Sequence, residues 1–278
     1  MKKIIFPKRG KKSHKGENGR VLVIGGNEIF HGAVILAGLG ALESGADLIY
    51  LHLPRKYENL ARKENLNFII VPFHKNFLTL HDVPVINEWI QKSDVILIGN
   101  GIGEREETKK AVLKILKLSL KQNIPAVLDA GALFPRIKDI AHSWPWILTP
   151  HDSEFFRVFG KKPTQSNIKE MALTYKLVIL KKGPIDFIAD HNGKFFTNKS
   201  GTSLMSVGGT GDALAGLIAG LIAQKFDPTD ACYTAAYVWG KCGEALAKKK
   251  AVLSAEGMLK IFPQVMKEEK VRQKVEEE

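Results

Sequence analysis

Cysteine is nearly absent: Cys232 and Cys242 are the only two in 278 residues. Both fall in a segment that reads as helix, where ten positions of separation turn them to different faces. No disulfide is expected, and a reducing, cytoplasmic setting follows. No apolar run approaches the roughly 20 residues that span a bilayer, and the first seven residues lack the apolar stretch of a secretory signal. A soluble protein with no membrane partner is expected. Lys and Arg number 41 against 29 Asp and Glu, a formal charge of +12. The basic clusters at 8–12 and 248–250 carry no interleaved aromatics on which bases could stack, which argues against a nucleic-acid partner.

Missing motifs exclude further chemistry. GxxxxGK followed by Ser or Thr does not occur, so there is no P-loop; GxGxxG is absent, which removes the usual dinucleotide fingerprint. Without GxSxG, no Ser-His-Asp hydrolase order can be proposed. The eight histidines, among them His14, His31, His52, His74, His81, His142 and His191, form no HExxH and no close His/Cys set, so no protein-ligated metal is expected. Magnesium held mostly by phosphates remains compatible.

What is present is an alternation of short apolar runs with helical segments. Runs at 20–26, 48–51, 68–71, 95–98, 126–129, 146–149 and 177–180 are continuous rather than alternating, as in strands covered on both faces. Helices are expected near 33–42, 107–121, 167–175, 211–223, 229–246 and 254–262. Residues 186–198 read as a hairpin turned at Asn192-Gly193. The pattern predicts one α/β domain over 1–278: a three-layer α/β/α sandwich with a mostly parallel central sheet, a core at about 14–262 and a charged tail at 267–278. The apolar helix at 231–247 packs internally or against a second copy, and a homo-oligomer is expected.

Ligands of open α/β sheets bind outside the carboxyl ends of strands. Five such ends carry small, polar or basic residues: Gly25-Gly26-Asn27, Gly99-Asn100-Gly101-Ile102-Gly103, Asp129-Ala130-Gly131, Thr149-Pro150-His151 and Lys181-Lys182-Gly183. To these is added Gly208-Gly209-Thr210-Gly211-Asp212, which opens the small-residue helix 213–220. Its backbone N–H groups make an anion nest at a helix N-terminus. A bland role for Asp212 is to offset the helix dipole, worth ~0.3–1 kcal/mol. Glycines so placed are entropically costly, however, which favours a working role: a base against a substrate hydroxyl, or a group that orients that hydroxyl for phosphoryl transfer. Lys182 is the candidate cation for the phosphate.

Gly209-Thr210-Gly211-Asp212 resembles the anion-hole signature of the ribokinase-like superfamily. Together with His14-Lys15-Gly16, Gly25-Gly26, Gly32-Ala33, Gly101-Ile102-Gly103, Leu128-Asp129-Ala130, Thr149-Pro150-His151 with Glu154, and Lys182-Gly183, it is similar to the ADP- or ATP-dependent NAD(P)H-hydrate dehydratase family over nearly the whole chain. The resemblance implies a ribokinase-like fold and repair of hydrated NADH or NADPH. The C6 hydroxyl is phosphorylated by a nucleotide, and phosphate is then eliminated. It assigns catalysis to Asp212, the anion hole to Gly208, Gly209, Thr210 and Gly211, and the hydrate to Ala33, Gly101, Gly103, His151 and Asp212. The nucleotide falls to Lys182, Gly183, Pro184, Ile185, Asp186 and Gly211. ADP is the expected co-substrate, with ATP as the alternative and Mg2+ alongside. A separate NAD(P)H-hydrate epimerase is the expected pathway partner.

Departures from the family pattern are His151-Asp152-Ser153-Glu154 in place of His-Pro-Gly-Glu, Thr202 for Asn, Trp239 for His and Asn100 for Pro, all expected at the periphery of the site. Two rival readings stay open: a ribokinase-like kinase of a small vitamin-precursor alcohol, which releases a stable phosphoester, and a non-catalytic nucleotide-binding protein, which consumes nothing.

Overall fold

The computed structural model describes residues 4–7, 9–141 and 146–275. Lys8 of the first basic cluster, His142 and the last three residues of the charged tail lie outside them. The first half runs Arg20–Ile24 (β1), His31–Glu43 (α1), Leu48–Leu53 (β2), Glu58–Glu64 (α2), Phe68–Pro72 (β3), Val83–Ile90 (α3), Val95–Ile98 (β4) and Glu106–Lys121 (α4). There follow Ala126–Leu128 (β5), Ile147–Leu148 (β6), Asp152–Phe159 (α5), Gln165–Tyr175 (α6) and Val178–Lys181 (β7). The chain closes with Asp186–Ala189 (β8), Phe195–Asn198 (β9), Thr210–Ala223 (α7), Pro228–Ala247 (α8) and Ala255–Val275 (α9).

The strands form one sheet in the order β3-β2-β1-β4-β5-β6-β7-β8-β9. Every pair from β3 to β7 is parallel, and the hairpin β8–β9 extends the edge antiparallel. Alternation along each strand sends neighbours to opposite faces. Val21 and Val23 join Val95 and Leu97 in one apolar layer, whereas Leu22 and Ile24 join Ile96 and Ile98 in the other. The first layer is completed by α1, α7, α8 and α9, the second by α3, α4, α5 and α6. The three-layer sandwich is as expected. Cys232 and Cys242 are both buried in α8, and no helix of the described residues is long and apolar enough to cross a membrane.

The turn at Asn192-Gly193 forms as expected: Asp190 Oδ1 accepts from Asn192 N–H (2.9 Å) and Lys194 N–H (2.8 Å), and Gly193 takes φ +84°. Three helices escape the sequence pattern. The α2 segment is short and charged, with only Ala61 buried. The α3 segment is β-branched and carries Pro84, and its signal lies upstream, where Thr79 and Asp82 form a capping box. In α5 the N-cap is a histidine, described below.

The last helix corrects the expectation of a stop at Phe262. Proline removes an intrahelical donor, yet α9 continues through Pro263 to Val275. Phe262 and Val265 are buried in the first apolar layer, and farther along Glu269 accepts from the Tyr237 hydroxyl of α8 at 3.1 Å. Packing against α8 outweighs the local penalty and docks the charged tail.

Candidate active site

Helix α7 starts from a backbone that only glycine adopts without strain. Gly209, its N-cap, has φ +88° and supplies no side-chain cap, so the first-turn N–H groups have neither a helical nor a side-chain acceptor. Thr210 turns its hydroxyl inward, donating to the carbonyls of Val207 (2.9 Å) and Met205 (3.2 Å) and pinning the turn. What the turn offers outward is backbone. A Cβ on Gly208 would meet nothing within 4 Å, so protein packing does not require glycine there. Farther along the helix the small residues serve packing: a Cβ at Gly216 would strike the Ala37 carbonyl of α1, and one at Gly40 that of Ala213.

Parallel strand order brings the ends of β4, β5, β6 and β7 side by side in front of this nest. From the loop after β4, Asn100 Nδ2 donates to Asp212 Oδ1 (2.8 Å) and to Asp129 Oδ2 (2.9 Å). Asp129, just past β5, also accepts at Oδ1 from Thr149 Oγ1 (2.7 Å), after β6, and from Lys182 Nζ (2.7 Å), after β7. A Cβ on Gly211 would lie 3.3 Å from Lys182 Nζ, which places that ammonium against the nest. The cluster thus joins a turn of uncapped backbone N–H groups, a cation and a carboxylate.

The two aspartates differ in what they can do. Asp129 is buried, and both its oxygens are occupied. Asp212 makes one hydrogen bond, through Oδ1, and Oδ2 has none among the described residues. Burial raises the Asp212 pKa above the ordinary carboxylate value; the nearby Asp129 charge adds to this, Asn100 and Lys182 oppose it, and Glu154 adds again. Burial works against charge on Lys182, but Asp129 and Glu154 outweigh it and its pKa lies above the ordinary value. The site therefore pairs a firmly charged ammonium with a carboxylate of enhanced basicity.

Most sequence-predicted residues converge. A Cβ on Gly101 (φ +67°) would meet the Phe30 carbonyl and lie 3.0 Å from the Ala33 Cβ, so these two touch across the loops after β1 and β4. Gly103 (φ +82°) faces Asn27, whose Nδ2 would be 2.8 Å from a Cβ there. Lys182 and Gly211 meet as described. Gly183, Pro184 and Ile185 form an exposed rim between β7 and β8, tied down by Asp186, which accepts from Gly183 N–H (3.1 Å) and Asn198 Nδ2 (3.0 Å).

His151 sits at the N-cap of α5 in a reciprocal capping box. Its Nδ1 accepts from Glu154 N–H (3.4 Å) and faces Ser153 Oγ (3.0 Å), while its own N–H donates to the Glu154 carboxylate (2.9 Å). That network assigns the ring proton to Nε2, 3.3 Å from Glu154 Oε1. The ring remains half exposed. Asp152 is drawn away to an ion pair with Lys181 at 2.9 Å.

Of the departures, Thr202 caps a short turn through Leu204 N–H (3.4 Å) and Trp239 is buried in the core. Asn100 is not peripheral, which corrects the expectation: it touches both aspartates. Sequence reasoning missed the roles of Asn100, Asp129 and Thr149. Their only signal was position at strand ends. Among the described residues, no group of three or more His, Cys, Asp and Glu could hold a metal. With Asp129 fully occupied, the donor set suits magnesium only as an ion carried on nucleotide phosphates.

Comparison with known proteins adds to this geometry. A family model described as NAD(P)H-hydrate dehydratase matches residues 21–264. The ADP-dependent (S)-NAD(P)H-hydrate dehydratase of Nitrosopumilus maritimus is 36% identical over 256 residues, covering 90% of this chain and 88% of the relative. Among solved structures, a ribokinase-like superfamily protein from Enterococcus faecalis aligns with a TM-score of 0.84 at 28% identity, covering 95% and 92% of the two chains. The ADP/ATP-dependent NAD(P)H-hydrate dehydratase of Bacillus subtilis, co-crystallised with ATP and Mg2+, aligns with a TM-score of 0.81 at 28% identity, covering 95% and 94%. The fold is ribokinase-like.

Proposed function

The chain belongs to the NAD(P)H-hydrate dehydratase family, and on that premise we propose that it is an ADP-dependent lyase restoring NADH and NADPH from their (S)-hydrates. The observation that carries this reading is the half-satisfied carboxylate of Asp212 at the mouth of the α7 nest, with Lys182 against the same turn. Hydroxide is a poor leaving group and a phosphate ester a far better one. Asp212 Oδ2 takes the proton of the C6 hydroxyl as its oxygen attacks the terminal phosphorus of ADP. One P–O bond forms to the hydrate oxygen, the bond to the leaving phosphate breaks, and AMP departs. The ring nitrogen lone pair then assists C6–O cleavage. Loss of a proton from C5 completes the double bond, releasing inorganic phosphate and NADH or NADPH.

Each protein group has one task. The N–H groups of 208–211 and the Lys182 ammonium face the charge on the transferring phosphoryl group. Ala33, Gly101, Gly103 and His151 line the hydrate side, and 183–186 the nucleotide side. Mg2+, with which the Bacillus subtilis relative was co-crystallised alongside ATP, would be held mainly by the nucleotide phosphates and would neutralise their charge. A catalyst for one C6 epimer leaves the other untouched, so an NAD(P)H-hydrate epimerase is its pathway partner.

The test is to incubate purified protein with NADH hydrate, Mg2+ and ADP or ATP, and to follow the reduced-nicotinamide absorbance band. Recovery of absorbance with stoichiometric AMP and phosphate from ADP is expected. No recovery with either nucleotide overturns the reading, and a stable phosphoester product would make the protein a kinase.

A further inference from the structure

The Asn100 side chain is fully buried between two acids. Its main chain is fixed as well: the Asn100 carbonyl accepts from Gly26 N–H at 2.8 Å, locking the loop after β4 onto the loop after β1. An amide nitrogen has two hydrogens, and here each meets a carboxylate oxygen. The reverse orientation would set the amide oxygen against two anions, so the network fixes which way the amide faces. In this orientation Asn100 Oδ1 is buried with no partner among the described residues. A buried acceptor left unpaired costs roughly 1–3 kcal/mol. An asparagine retained for stability alone is a poor choice at such a position.

We propose that Asn100 is a positioning residue of this site: by donating one hydrogen to Asp129 and the other to Asp212 Oδ1, it fixes the rotamer of Asp212 and reserves Oδ2 for the substrate proton. The inference rests on the dehydratase reading for what that proton is, but not for the effect of Asn100 on Asp212. The charged and titratable groups around Asp212 are Asp129 from the end of β5, Glu154 from α5 and Lys182 from the end of β7. Asn100 is the uncharged member of that set. Its hydrogen bond favours the ionised form of Asp212, so its removal drives the Asp212 titration to higher pH.

The experiment uses the full chain carrying Asn100→Ala, with Asn100→Ser, which keeps one donor, as the milder variant if alanine fails to fold. Two measurements are made: Asp212 is followed by carboxylate carbon NMR against pH, with Asp212→Asn assigning the signal, and the pH–rate profile of NADH-hydrate turnover is recorded. In Asn100→Ala the Asp212 titration and the acid limb of kcat/KM move up together by about one pH unit. Turnover near neutrality falls about 10- to 100-fold, while KM for ADP stays within about threefold; Asn100→Ser falls between alanine and wild type. A folded variant whose Asp212 titration does not move overturns the proposal. So does a loss of thermal stability with an unshifted acid limb, which is what a merely structural asparagine gives. A wild-type protein with no dehydratase activity but with the expected NMR shift overturns the dehydratase reading and leaves the positioning role standing.

Discussion

Two aspartates near strand ends of the same sheet, the buried Asp82 and the half-buried Asp212, are solvated by the protein in opposite ways. Asp82 is almost fully enclosed. Its Oδ1 accepts from His74 N–H (2.8 Å) and meets His74 Nδ1 (2.9 Å), and its Oδ2 accepts from Thr79 N–H (2.8 Å) and Thr79 Oγ1 (2.9 Å). Burial pushes its pKa up, but the His74 and Thr79 donors outweigh burial and hold it below the ordinary value. The neighbouring His52 is buried with a pKa lowered to about 3, chiefly by desolvation, so it is neutral over the working range. Asp212, by contrast, has one donor, and its pKa is raised. A carboxylate with every lone pair used anchors a loop; one left half-solvated has binding capacity to spend on a substrate.

The sharpest way to break this contrast is Asp212→Asn. Turnover of NADH hydrate is expected to fall by about 10²- to 10⁴-fold, the range for loss of a positioned base, with ADP affinity nearly unchanged. The linkage sign also sets Asp212 apart. A carboxylate whose folded pKa exceeds its unfolded value costs stability at neutral pH, and that cost disappears as pH falls through the raised value. The variant is therefore at least as stable as wild type at pH 7, as thermal unfolding measures. Retained activity, or a clear loss of stability, would erase the distinction.

Asp82→Asn is the mirror experiment, with a smaller effect of a different kind. Replacing an anion that accepts four hydrogen bonds by an amide that can accept at only one side is expected to cost about 1.5–3 kcal/mol, with kcat unchanged. Because the folded pKa of Asp82 is depressed, its contribution is present above the unfolded value near 3.8 and lost as pH falls through the folded value. Denaturant unfolding at pH 7 and below pH 4 checks this: the gap between variant and wild type closes in acid. A gap that widens there contradicts the assignment.

The sheet was legible in the sequence because the parallel strands are short, mostly continuous apolar runs and the hairpin carries Asn192-Gly193. The nest was legible because its residues are adjacent in the chain. Asn100, Asp129 and Thr149 were not, since partners of Asn100 stand 29 and 112 positions away and meet only after β1, β4 and β5 are set side by side. Local pattern holds no record of such contacts. The helix end expected at Phe262 failed for the complementary reason: the effect of Pro263 on a helix is local, whereas the Tyr237–Glu269 bond and the buried Phe262 that override it are not. His151 hid the start of α5 because a histidine is an unusual partner for a glutamate three positions on in a capping box.

Asp186 sharpens the comparison, because it resembles Asp82 in occupancy and Asp212 in titration. Each of its oxygens holds one donor, Gly183 N–H and Asn198 Nδ2, yet burial keeps its pKa raised against the pull of those bonds and of Lys181 and Lys182. If occupancy decides the role, Asp186 shapes the loop at 183–185 without reacting. In Asp186→Asn the new NH2 must face one of the two donors. Asn198 cannot turn to offer its oxygen without breaking that oxygen's bonds to Ser200 N–H and Oγ (3.1 and 2.8 Å). One bond is lost, worth about 0.5–1.5 kcal/mol, and the loop beside Lys182 loosens. Steady-state kinetics are then expected to show KM for ADP raised about two- to tenfold, with kcat little changed. A fall in kcat with KM constant would put Asp186 beside Asp212 instead, and titration rather than occupancy would be the mark of a working carboxylate.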